Sequence, residues 1–321
     1  MHLEKLGIPG RKACVILGAG ATRGASCFDA DWVDPPLDLD FFLQAERISH
    51  LDRSGNLKFL LESARDEFGN LDLSMESFFT QIESLDSFHR DLKIDRGRYT
   101  EKYTRILELF APSLAAFFSI LKGRNPDGEM ECKYHGAIAQ HLGSGDSVIS
   151  FNYDCIMDAA LRSEGGRRWD ASSGYGVSMY DGFENWHDHD SGTKYAKSSI
   201  LNLKVHGSLN WDRSVDRQIS LRSNPYDTEN RAQKEIVPPV WNKRISGDDF
   251  LPIIWKQARD ALRNSGLLIV IGYSVPETDL LSQSLLRVAP AEGGQLDHLI
   301  LINPSGRDRA KLKGLYAPLE K

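Results

Sequence analysis

The chain holds only four cysteines, Cys14, Cys27, Cys132 and Cys155, and none of them belongs to a C-x-x-C pair. That spacing excludes both a zinc ribbon and a disulfide framework, so the four read as reduced thiols. An excess of basic charge is also missing: 39 Lys and Arg stand against 45 Asp and Glu, for a formal net charge of −6. A surface that is basic overall is excluded, and neither nucleic acid nor an anionic membrane is the expected partner. The opening stretch "MHLEKLGIPGRKACVILGAG" lacks the basic segment, long apolar core and small-residue cleavage site of a signal peptide. No uninterrupted apolar run approaches the roughly 20 residues of a bilayer span, and the expected compartment is the cytoplasm. Internal repeats and low-complexity tracts are lacking as well.

What is there is the mixture of a globular protein with a sizeable core: 321 residues, 41% apolar and 26% charged. Five short runs rich in Val and Ile predict buried strands: "ACVIL" (13–17), "SVISF" (147–151), "LNLKV" (201–205), "LLIVI" (267–271) and "HLILI" (298–302). Between the last two, "ETDLLSQSLLRVA" repeats apolar residues at helical spacing through Leu280, Leu281, Leu285 and Leu286. Strand and helix alternate, which predicts an α/β protein: a Rossmann-like parallel sheet with helices on both faces.

About 125 residues separate the first two strands, too many for a simple crossover. Segments such as "SMESFFTQIESL" and "YTRILELFAPSLAAFFSILKG" are helical in period, so 25–146 is expected to be a mostly helical module inserted in a single domain, with "GRNPDGE" (123–129) its clearest loop. The apolar "LFAPSLAAFFSIL" is expected to be internal packing of that module. Residues 165–195 read as a long loop or lid.

In an open parallel sheet, ligands gather at the carboxyl ends of the strands. Here those ends carry Gly18-Ala19-Gly20-Ala21-Thr22, then Asn152-Tyr153-Asp154, then His206-Gly207-Ser208, then Gly272-Tyr273-Ser274, then Asn303-Pro304. Each has an ordinary structural use as well: a glycine turn, a helix cap at Asp154, a structural histidine, a turn before proline. Small or polar groups at all five ends point to a nucleotide site. The glycine and alanine positions bring the backbone close to whatever lies beside them, as a pyrophosphate requires.

The ordered set G-A-G-A, F-N-Y-D, K-V-H-G-S, G-Y-S and I-N-P, spread over 13–304, resembles the sirtuin-like superfamily, and within it the bacterial branch of antiphage defence systems. The helical insert matches only in character. The resemblance implies that Gly18, Ala19, Gly20 and Ala21 lie against the pyrophosphate of NAD, with Thr22 and Gly272 in the same cofactor-binding set. It places Ser274 and Asn303 at the phosphate and the adenine-side ribose, and Asn152 and Asp154 at the nicotinamide ribose and amide, and makes His206 the general base. Where sirtuins continue with a serine-rich segment and Asp-Phe-Arg, this chain has "TRGASCFDADWVDPPLDLDFF", with Asp38 and Asp40 as acidic candidates.

Sirtuin deacylases carry a zinc ribbon beside the acyl-lysine groove, and this chain has no cysteine pairs for one, so water is the expected acceptor and no metal is expected. The "HDH" at 187–189 reads as exposed surface. An imidazole with its ordinary pKa near 6.5 suits proton transfer at neutrality, and an Asn carboxamide orients a hydroxyl or water. The expectation is therefore an NAD glycohydrolase releasing nicotinamide and ADP-ribose, an effector of antiphage defence by NAD depletion. The resemblance further implies a homo-oligomer, joined by a nucleotide-hydrolysing P-loop ATPase or a phage-sensing partner. Two alternatives stand beside it: a non-catalytic NAD or ADP-ribose sensor, and a Rossmann oxidoreductase, which needs an acidic residue closing a second strand about 20 residues past the glycines.

Overall fold

The computed structural model describes residues 12–28, 33–93, 98–122, 131–179, 198–213, 218–222, 224–228, 233–241, 250–277, 279–291 and 296–316. The loop expected at 123–129 and the "HDH" at 187–189 lie outside these residues. So does most of the long loop expected at 165–195.

All five expected strands form: β1 (Lys12–Leu17), β2 (Ser147–Ser150), β3 (Leu201–Lys204), β7 (Ser265–Ile271) and β8 (His298–Ile302). They make one parallel sheet, flanked by helices, in the order β3-β2-β1-β7-β8. The fold is thus Rossmann-like α/β. β1 and β2 are buried on both faces, which is why they read as unbroken apolar runs, whereas β8 at the sheet edge leaves Ile300 and Ile302 exposed. Asp146 pins the start of this sheet: Oδ1 accepts from Ala13 N at 2.7 Å and Oδ2 from Gly143 N at 2.7 Å. Burial pushes its pKa up, against the pull of those two amides. Asp146→Ala leaves both amides without their partner and is expected to lower stability by about 2 kcal/mol, read by urea unfolding.

Between β1 and β2 run α1 (Ala19–Arg23), α2 (Phe41–Ile48), α3 (Asn56–Phe68), α4 (Met75–Asp91), α5 (Arg98–Glu108), α6 (Phe110–Lys122) and α7 (Lys133–His141). Ser74 caps α4 by accepting from Ser77 N, and Asp38 accepts from Glu76 N at the same end. The helices share a core of aromatic rings meeting edge to face, from Phe42 to Phe78, Phe79 and Phe110, at centroid separations of 5.0–5.1 Å. Together α5 and α6 give a stretch, Tyr99–Lys122, apolar and long enough by composition to cross a bilayer. Its apolar residues Phe110, Leu114, Phe117 and Phe118 are buried in the helical core, as expected for "LFAPSLAAFFSIL".

The remaining elements are α8 (Ile156–Glu164), β4 (Gly207–Arg213), β5 (Ile219–Leu221), β6 (Lys234–Ile236), α9 (Leu251–Arg263), α10 (Leu280–Ala291) and α11 (Gly306–Tyr316). β5-β4-β6 is a second, antiparallel sheet that the sequence reading missed. Its strand "GSLNWDR" has no apolar run. Its Leu209 and Trp211 are fully buried, and Arg222 and Lys234 both pair with buried Asp212 at 2.5 and 3.0 Å.

Candidate active site at the carboxyl edge of the sheet

Because the strands run parallel, every residue singled out at a strand end falls on one edge of the sheet. The order β3-β2-β1-β7-β8 reverses direction between β1 and β7, the switch point where open α/β sheets receive ligands. At that point the two glycine turns touch. Gly18 N donates to Ile271 O at 3.0 Å, Gly20 N to Gly272 O at 2.8 Å, and Gly272 N to Ile302 O at 2.9 Å. A Cβ on Gly18 would stand 2.6 Å from Gly272 O, and one on Gly272, whose φ is +60°, would stand 2.2 Å from Ala21 N. The close approach that the "GAGAT" stretch requires is therefore first of all to the end of β7. Ala21 N is committed too, to Gly18 O at 2.8 Å, so Gly18, Gly20 and Ala21 spend their amides on the protein.

The end of β2 is tied to this turn. The Asn152 carboxamide donates to Gly18 O at 2.9 Å and to Thr22 Oγ1 at 3.0 Å, and the Thr22 hydroxyl donates to Asp154 Oδ2 at 2.6 Å. Asp154 Oδ1 accepts from Ile156 N at 3.0 Å, so Asp154 also serves as the helix-start acceptor that its position suggested. All three side chains are buried. With both its N–H bonds directed into the protein, Asn152 has its carboxamide oxygen left to offer a ligand. Beneath the network, buried Lys204 donates to Asp154 O and, at 3.2 Å, to Asp158. Burial opposes its charge, but Asp158 beside it leaves its pKa above the ordinary lysine value.

His206, past the end of β3, is 6% exposed and lies among rings: Phe151 at 5.4 Å, Tyr153 at 6.1 Å and Trp255 at 6.2 Å between centroids. Its Nε2 faces Asp279 Oδ2 at 3.6 Å. Asp279, also buried, accepts from Ser282 N at the start of α10. The His206–Asp279 separation is within ion-pair range of a protonated imidazole and longer than a hydrogen bond, so the rings, more than Asp279, set the orientation of His206. The sequence reading missed Asp279, having taken "ETDLLSQSLLRVA" for its helical spacing alone; an Asp three residues before Ser282, at a helix start, was the available signal. Phe110 of the helical module packs edge to face on Tyr153 at 5.2 Å, and the Tyr153 hydroxyl donates to Val237 O. Burial pushes that phenol's pKa well above its ordinary value. The inserted helices thus buttress one ring of the His206 surroundings.

No protein-family model matches this chain, and no curated protein is a significant relative of it. The site stands on its own geometry.

At the far side, Ser274 is exposed and Asn303 turns inward, donating to Tyr273 O at 3.2 Å and accepting from Ser305 N at 2.9 Å. Between Ser274 and Pro276, Val275 holds φ +52°, a left-handed conformation costly for a β-branched residue. Asp38 and Asp40 have local partners: Asp38 caps α4, and Asp40 pairs with Arg23 and accepts from Leu37 N. Among the described residues, no group of three or more His, Cys, Asp or Glu converges as a metal site.

Proposed function

We propose that this chain is a sirtuin-like NAD glycohydrolase of antiphage defence. The observation that carries the reading is the buried His206–Asp279 pair standing at the same sheet edge as the Asn152–Thr22–Asp154 network. In the reaction the bond from the ribose C1′ to the nicotinamide nitrogen breaks, and nicotinamide leaves with the electron pair as a neutral molecule. Water adds to the oxocarbenium carbon, His206 takes its proton, and the product is ADP-ribose. Since the leaving group needs no protonation, the chain has to hold the ribose, orient water and accept one proton. The Asn152 oxygen is positioned as acceptor for a ribose hydroxyl or that water.

Incubating the purified protein with NAD and following nicotinamide by chromatography tests the reading; no nicotinamide after prolonged incubation, alone or at high protein concentration, would sink it. The second reading, an NAD or ADP-ribose binding domain without turnover, is favoured by one observation, the burial of His206. Binding without nicotinamide release is its outcome in the same experiment. The oxidoreductase reading asks for an acidic residue closing a second strand about 20 residues past the glycines, and at that distance Asp38–Asp40 forms a short 3-10 turn leading into α2; an absorbance change at the reduced-nicotinamide wavelength is its outcome.

Asp279→Asn keeps the acceptor for Ser282 N and removes the charge facing His206. It is expected to lower kcat by roughly tenfold or more with little change in KM, because the carboxylate acts through the imidazole and not on NAD. A chelator is expected to leave turnover unchanged; activity lost to chelation and restored by a metal ion would contradict that. A cytoplasmic enzyme of this kind has to be restrained, and we assign the restraint to self-assembly or a defence partner. Light scattering with turnover measured in parallel checks it, and a fully active monomer would refute it.

A further inference from the structure

Two of the four cysteines meet outside the strand-end site. Cys132, at the start of α7, accepts from Ser26 N at 3.3 Å and from the Ser26 hydroxyl at 3.6 Å, and its sulfur meets His135 Nδ1 at 3.1 Å one helical turn on. Lys133 N in turn holds the Ser26 oxygen at 3.0 Å, fixing that hydroxyl in place. Cys27, next to Ser26 and partly exposed, is brought beside the Cys132 sulfur by the Ser26 contacts, close enough for the two thiols to interact. Interaction with the Cys27 thiol, together with His135 and Ser26, draws the Cys132 pKa far below its ordinary value against the opposing effect of burial, while the same interaction drives Cys27 up. The other two cysteines differ. Cys132 shares their burial, but at Cys14 and Cys155 burial dominates and raises the thiol pKa, Cys155 to about 12.

A sulfur that receives a backbone N–H and a hydroxyl and meets an imidazole nitrogen is surrounded as a thiolate. A thiolate with a second thiol beside it is the arrangement in which a first oxidation product is captured by a disulfide. We propose that Cys27 and Cys132 are a peroxide-oxidisable pair, Cys132 reacting first and Cys27 resolving it into an intrachain disulfide. The Cys132 thiolate attacks one oxygen of hydrogen peroxide, the O–O bond breaks, and hydroxide leaves, giving a sulfenic acid. The Cys27 sulfur then attacks the Cys132 sulfur, the S–O bond breaks, and the Cys27 proton leaves with that oxygen as water. Two electrons pass from the two sulfurs to peroxide. Peroxide, close to water in size, reaches the pair from the Cys27 side, where the surface is partly open. The resulting bond ties the segment leaving α1 to the start of α7, a few residues from Thr22, which links Asn152 to Asp154. The chemistry of the pair does not depend on what the strand-end site binds.

The test is to oxidise the reduced wild-type protein with hydrogen peroxide, block the remaining thiols with N-ethylmaleimide under denaturing conditions, and map cysteines by peptide mass spectrometry. A Cys27–Cys132 cross-linked peptide is expected, with Cys14 and Cys155 recovered as alkylated thiols and Cys132 lost at least about tenfold faster than Cys155. In Cys27→Ser, Cys132 should accumulate as a sulfenic acid trapped by dimedone; in Cys132→Ser, Cys27 should stay a thiol. Cys27 and Cys132 oxidised no faster than Cys155, a cross-link between chains in place of the intrachain one, or dimedone on Cys27 ahead of Cys132 would each overturn the proposal. The wild-type map decides it even if neither variant folds.

Discussion

His206→Ala is expected to lower NAD turnover by about 10²–10⁴-fold while NAD binding stays largely intact, the range over which a positioned general base contributes. The argument is geometric. The imidazole is held among Phe151, Tyr153 and Trp255, which restrict its motion, and it faces the Asp279 carboxylate at 3.6 Å, so it is fixed in place with an anionic partner beside it. The affinity for NAD is expected to come from other strand ends, which the substitution leaves in place. Nicotinamide release by chromatography measures turnover, calorimetry measures binding, and a thermal melt checks that the space left among the rings has not undone the fold. Wild-type turnover in His206→Ala would remove the imidazole from the reaction and return it to a packing role. Turnover and binding lost together in a folded variant would make it an anchoring residue.

Gly272→Ala is expected to lower stability by about 3 kcal/mol or more. Gly272 sits at φ +60°, donates to Ile302 O, and accepts from Gly20 N, so the ends of β1, β7 and β8 all meet at this one backbone unit. A methyl group there would lie 2.2 Å from Ala21 N and 2.4 Å from Gly20 C, and both neighbours are backbone, which cannot swing aside as a side chain would. Gly55→Ala separates the two causes: Gly55 has φ +73° with nothing within 4 Å of its added Cβ, so that variant carries the conformational cost alone, about 1 kcal/mol. Equal unfolding midpoints for the two variants would mean that the contact between the glycine turns contributes nothing.

Much of the sheet was legible because a doubly covered parallel strand has to be apolar on both faces. "ACVIL", "SVISF", "LNLKV", "LLIVI" and "HLILI" each lie where a strand forms. The antiparallel β5-β4-β6 was not legible, since β5 and β6 are three residues each and the alternation in "GSLNWDR" is carried by Leu209 and Trp211 alone, too short to stand out. The site divides in the same way. Asn152, Asp154, Thr22 and His206 were visible as polar residues at strand ends, but the bonds from Asn152 to Gly18 and Thr22 span more than a hundred residues of chain. Asp279 was hidden for that reason too. Nothing in its neighbours on the chain records that His206 lies opposite.

By itself, then, the amino-acid order determined the local and periodic features: which segments are strands and helices, that the strands run parallel, and that their carboxyl ends carry small and polar groups. Those follow from short-range rules, the two-residue alternation or continuity of strands and the 3.6-residue turn of helices, which act within a few residues. Only the tertiary structure decided which ends touch. The order β3-β2-β1-β7-β8 set Gly272 against the first glycine turn, and the packing of α10 and α6 set Asp279 at His206 and Phe110 at Tyr153. Ser26 and Cys27 came against Cys132 in the same way. These pairings depend on how separate elements bury their apolar faces on one another, and that burial is nearly indifferent to the distance along the chain between the residues it brings together.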